Sequence, residues 1–73
     1  MSTPLELAHE LIKNGVYESY YADLDTVFLM ASDDRRASIS QHDNGFFATR
    51  SHGPRPRALR GGFREALEHL SVE

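Results

Sequence analysis

The sequence contains no cysteine, only one lysine, and no apolar run longer than the five residues from Val27 to Ala31. Without cysteine there is no disulfide framework, thiolate zinc site, iron–sulfur cluster or cysteine nucleophile, and a small secreted domain would ordinarily need such staples. An intracellular, cytoplasmic setting is therefore expected. A bilayer span takes about 20 apolar residues, and the N-terminus lacks the basic-then-apolar pattern of a signal peptide, so no membrane association is expected. The chain is also short. Its 73 residues predict a single α+β domain over residues 1–73, with a thin core that a partner or self-association would help stabilise.

What the sequence does have is an uneven distribution of charge. The formal net charge is −3, but residues 1–34 carry a balance of −6 and residues 35–73 a balance of +3. Arg50, Arg55, Arg57, Arg60 and Arg64 fall within fifteen residues that contain no acid. Arginine offers a planar fork that grips phosphate or carboxylate in bidentate fashion, so this segment is the candidate site for nucleic acid or an acidic partner. The competing reading is a solvated arginine surface that pairs with the acidic N-terminal half, within the chain or across a homodimer.

Local signals set the elements. Thr3-Pro4-Leu5-Glu6 reads as a capped helix start, Leu5, Ala8, Leu11 and Ile12 recur at helical spacing, and Asn14-Gly15 closes a helix over residues 4–14. Residues 16–24 read as a loop, extended arm or short turn. Tyr17, Tyr20 and Tyr21 suit a strand by propensity, yet they are spaced as on a helix. Thr26 to Ala31 reads as a first strand and Arg36 to Gln41 as a second. A turn at Asn44-Gly45 leads into a third, Phe46 to Arg50, pairing Asp43 with Phe46 and Ile39 with Arg50. That register places Ala37, Ile39, Phe46 and Ala48 on one face, and Ser38, Ser40, Phe47 and Thr49 on the other. Ser51 to Gly62 reads as a loop with extended character around Pro54-Arg55-Pro56. Phe63, Ala66, Leu67 and Leu70 define the second helix. The expected fold is α+β, a helix, a three-stranded antiparallel meander and a helix, with both helices on one face of the sheet.

The order helix, three strands, helix is similar to that of the double-stranded RNA-binding domain. The resemblance is one of topology: where that family carries a lysine-rich run, this chain has Arg55-Pro56-Arg57-Ala58-Leu59-Arg60. Arg60-Gly61-Gly62-Phe63-Arg64 resembles one unit of an arginine-glycine-glycine box, and Pro54-Arg55-Pro56-Arg57 resembles an AT-hook without its central glycine.

Chemistry-bearing constellations are sparse. His9, His42, His52 and His69 are not spaced to chelate, no serine sits in a nucleophile elbow, and no phosphate loop or dinucleotide fingerprint occurs, so no metal, cofactor or catalysis is expected. Tyr17, Tyr20, Tyr21 and Phe47 are more aromatic surface than two short helices cover, which makes them candidates for a protein interface. The leading expectation is a non-enzymatic binding or regulatory module acting through residues 50–64. The alternative is an accessory inhibitor of the kind encoded by phages or mobile elements, occluding a host protein with an acidic and aromatic surface.

Overall fold

A computed structural model describes residues 3–72. Helix α1 spans Pro4–Lys13. Thr3 Oγ1 accepts from the Glu6 N–H at 3.2 Å, and proline occupies the first turn, where its missing N–H costs nothing. The helix closes through Gly15 at φ +79°, with Val16 N–H donating to Leu11 O and Gly15 N–H to Ile12 O, the paired bonds of a Schellman motif. Helix α2 spans Phe63–Leu70, and the Glu65 carboxylate accepts from the Gly62 N–H ahead of it.

Between the helices lie five strands rather than the expected three: β1 (Ser19–Asp23), β2 (Thr26–Met30), β3 (Arg36–His42), β4 (Gly45–Arg50) and β5 (Ala58–Gly61). They form one antiparallel sheet in sequence order. Of the open choices for residues 16–24, loop, extended arm or short turn, the structure has an extended strand. The reading of residues 51–62 as a loop is corrected at Ala58–Gly61, and with the two added strands the topological analogy to the double-stranded RNA-binding domain falls away. Both are edge strands. β1 pairs only with β2, from Ser19–Met30 to Asp23–Thr26, and every residue in it is exposed. β5 pairs only with β4 and has four residues.

The β3–β4 hairpin turns at Asp43 and Asn44, two residues from the expected register, so His42 faces Gly45, Ile39 faces Ala48 and Ala37 faces Arg50. Asp43, at φ +51°, takes the left-handed conformation that the sequence assigned to the Asn-Gly pair. A slip of two preserves side-chain parity, so the expected inner face survives: Ala37, Ile39, Phe46 and Ala48 are all buried.

That inner face packs on both helices. Leu7, Ala8 and Leu11 of α1 and Ala66 and Leu70 of α2 join Val27, Leu29 and the four residues above in one hydrophobic cluster. Phe63 meets Phe46 edge to face at 6.2 Å between ring centroids. Among the described residues, no helix lies over the opposite face of the sheet.

Candidate functional site

Strand pairing fixes what the open face displays. One row runs Tyr21, Phe28, Ser38, Thr49 and Ala58 from β1 to β5, and the next runs Asp23, Thr26, Ser40, Phe47 and Arg60. Tyr21 and Phe28 stack with centroids 6.5 Å apart and planes at 24°, and both stay exposed. Across the sheet, the Arg60 guanidinium lies 5.4 Å from the Phe47 ring centroid, a cation–π arrangement that leaves Phe47 half-buried. Between these pairs the floor is made of short hydroxyl side chains, and the Ser38 and Thr49 hydroxyls hydrogen-bond to each other. An open concavity of about 270 Å³ lies beside Phe28 toward the Arg36 end of the sheet, lined by residues that include Phe28, Arg36, Ser38, Thr49 and Ser51 but not Phe47 or Arg60. Arg36, exposed at the same end, directs its Nη1 to Met30 Sδ at 3.8 Å.

Electrostatics favour the same face. On this face strands β2 to β5 present Arg36 and Arg60 and no carboxylate, and β1 presents Asp23 at its end. The acids stand on the helices, in the segments flanking the strands and at the end of β1.

The five arginines of the 50–64 segment are not brought together. Arg50 shares the parity of Phe46 and Ala48 and so points inward, where it is 8% exposed. Its guanidinium is consumed by the chain itself: Nε donates to His52 O at 3.0 Å, Nη2 to Pro54 O at 2.6 Å and to Pro56 O at 3.4 Å, and Nη1 to His69 O. Arg50 is thus the clasp that shapes the 51–57 loop, and it leaves the set of accessible ligands. Arg55 and Arg57 are exposed on that loop. Ser51 N–H donates to Arg36 O and Arg36 N–H to Ser51 Oγ, which ties the loop to the end of the sheet where Arg36 lies. Arg60 faces outward from β5. Arg64 stands on the solvent side of α2, in the helix layer. Among the described residues, none of Arg55, Arg57, Arg60 and Arg64 pairs with a carboxylate.

Arg35, by contrast, is engaged by Asp33, whose carboxylate takes its Nε at 2.8 Å. That hydrogen bond holds the Asp33 carboxyl below its ordinary range.

The aromatic candidates divide as well. Tyr17 is 1% exposed, so it is a core residue and leaves the interface set. Its ring meets His52 edge-on at 6.3 Å, Arg35 lies 5.9 Å from its centroid, and its hydroxyl is buried with no hydrogen-bond partner among the described residues. Burial raises the phenol's pKa, and the Arg35 and Arg50 charges pull in the opposite direction. Tyr20 turns to the helix side, its hydroxyl 3.3 Å from His9 Nε2. Only Tyr21 and Phe47 reach the open face.

Phe28 and Arg36 belong to that face but not to the sequence-derived set. Period-two alternation could have found both, because Phe28 shares parity with Thr26 and Met30, and Arg36 with Ser38 and Ser40. Among the described residues there is no cluster of histidine, aspartate and glutamate able to hold a metal ion. No helix of the described residues is long and apolar enough to cross a membrane. No protein-family model, curated protein or solved structure matches this chain.

Proposed function

We propose that this chain is a small non-enzymatic binding module that engages nucleic acid with the helix-free face of its sheet. Arg36 and Arg60 contact phosphates on the face, and Arg55 and Arg57 do so from the adjoining loop. The observation that carries this reading is the arrangement of charge: four strands free of carboxylate, with exposed guanidiniums beside exposed rings, in a chain whose net charge is negative. Arg64, in the helix layer, lies outside the proposed site.

Titration of labelled oligonucleotides at low and then rising salt tests it. Binding is expected to weaken with salt, and Arg36→Ala, Arg55→Ala and Arg60→Ala are each expected to lower the log–log salt slope by roughly 1. No binding to any single or double strand at low salt, or binding indifferent to these arginines, removes the proposal.

A second surface supports the inhibitor reading. Leu24, at the tip of the β1–β2 turn, is 99% exposed. It borders a concavity of about 370 Å³ that Leu5, Val27 and Asp25 help to line. An exposed leucine flanked by Asp23 and Asp25 suits a partner with an apolar pocket and a basic rim. Loss of a captured host protein on Leu24→Asp, with nucleic-acid binding unchanged, would favour this reading.

A further inference from the structure

We infer that the open face recognises unpaired bases by stacking, so that the ligand is single-stranded nucleic acid rather than duplex. This rests on the proposed nucleic-acid reading and specifies it. Phosphate contacts alone do not distinguish strand states, but aromatic faces do, since the π-face of a base becomes available to a side chain only when the base leaves the duplex stack. Here two separate walls stand on the solvent side: Tyr21 stacked with Phe28, and Phe47 with the Arg60 guanidinium over its ring, itself a plane on which a base can stack. β2 and β4 are separated by β3 alone, so the walls lie about 10 Å apart across the strands. The intervening Ser38 and Ser40 of β3, with Thr49 beside Phe47 on β4, are short enough to leave a trough and polar enough to meet base edges.

Two further observations favour this occupant. Phe28 is 42% and Tyr21 59% exposed, apolar area that neither helix covers. The cations at the margins, Arg36 and Arg60, suit the phosphates of a strand crossing the trough, whereas strands β2 to β5 offer no carboxylate to a basic partner. A sheet five strands wide also presents no single element shaped to enter the groove of a duplex.

Fluorescence anisotropy with the full chain tests the inference, using a short mixed-sequence oligonucleotide as single-stranded DNA, as single-stranded RNA and as the DNA duplex. Both single strands are expected to bind at least roughly tenfold more tightly than the duplex, and the intrinsic tyrosine emission is expected to fall on binding. Phe28→Leu and Phe47→Leu keep apolar cover but remove the π-face. Each is expected to weaken single-strand binding roughly tenfold with a much smaller effect on duplex binding, and Phe28→Leu, at an exposed position, is expected to leave the thermal melt unchanged. Because Phe47 is half-buried, Tyr21→Leu on the edge strand serves as a further variant with little risk to folding.

Equal affinity for single strand and duplex, or leucine variants that bind as the parent does while Arg36→Ala and Arg60→Ala lose affinity, would overturn the stacking inference and leave the nucleic-acid reading standing. Absence of all oligonucleotide binding ends both. Self-association abolished by Phe28→Leu, or capture of an acidic peptide in place of an oligonucleotide, would also overturn it.

Discussion

Arg50 Nη1 lies 3.1 Å from His69 Nδ1 while also donating to the His69 carbonyl, so one guanidinium joins the end of β4 to the last turn of α2. The imidazole continues the link, since its Nε2 is 3.1 Å from Arg57 O. For both contacts to be hydrogen bonds, Nδ1 must accept and Nε2–H must donate. An arginine that resembles a ligand in the sequence is therefore a tertiary tie between a strand, a loop and a helix.

Arg50→Ala is expected to cost about 3 kcal/mol in urea denaturation, because several inward carbonyls lose a charged donor together. Arg50→Lys is expected to recover little of this, since a single ammonium lacks the fork that reaches carbonyls on both sides. In such a small chain either change would remove a large share of the total stability.

Tyr17→Phe is expected to leave the fold unchanged or to stabilise it by up to about 1 kcal/mol, because the hydroxyl it removes is buried without a partner. The pH dependence has a definite sign. The phenol's pKa is raised in the fold, so the neutral form is the one the fold holds; this contribution is fully present below the ordinary value of 10.0 and is lost as pH rises through the higher folded value. Alkaline denaturation monitored by circular dichroism should therefore begin at higher pH in the phenylalanine variant.

Leu24→Asn is expected to stabilise by about 0.5–1 kcal/mol. Leu24 sits at φ +53°, in the left-handed region that asparagine tolerates far better, and at 99% exposure it has no packing to lose. A rise in melting temperature checks this. A fall would show that the leucine makes a contact in solution, such as with a second copy.

Gly45→Ala is expected to destabilise by about 1–3 kcal/mol. A Cβ there would stand 2.5 Å from the Gly61 carbonyl oxygen, which belongs to backbone in the neighbouring strand and has little room to yield. Chemical denaturation of the variant, together with amide shifts along β5, would report both the loss and its location.

Much of this architecture is legible in the residues. The Thr3-Pro4 start, the Asn14-Gly15 stop, the Phe63-to-Leu70 periodicity and the inner face of the β3–β4 hairpin all act locally or through parity, and the structure shows them where the pattern puts them. β1 escapes because it has one neighbour and every residue exposed, so it carries no in-and-out alternation. β5 does alternate, with Leu59 and Gly61 turned in and Ala58 and Arg60 out, but over four residues only, too short a run to stand out among the flanking glycines and prolines. The site shows the same division. Composition marks the arginines, but whether a guanidinium meets solvent or its own carbonyls depends on strand parity: Phe46, Ala48, Arg50 is an inward series, and Arg60 faces outward beside Phe47. Phe28 joins Tyr21 only through the pairing of a strand that the sequence does not announce.

β1 also gives the trough two unlike sides. It is hydrogen-bonded on one edge and buries no side chain, so its amides should exchange with solvent sooner than those of β3 and β4, and it should detach locally before the rest of the molecule opens. Tyr21 travels with it, whereas Phe47 stands on a strand flanked on both sides. One bank of the trough is a fixed anvil and the other a hinged leaf, able to widen the gap while the core beneath stays shut.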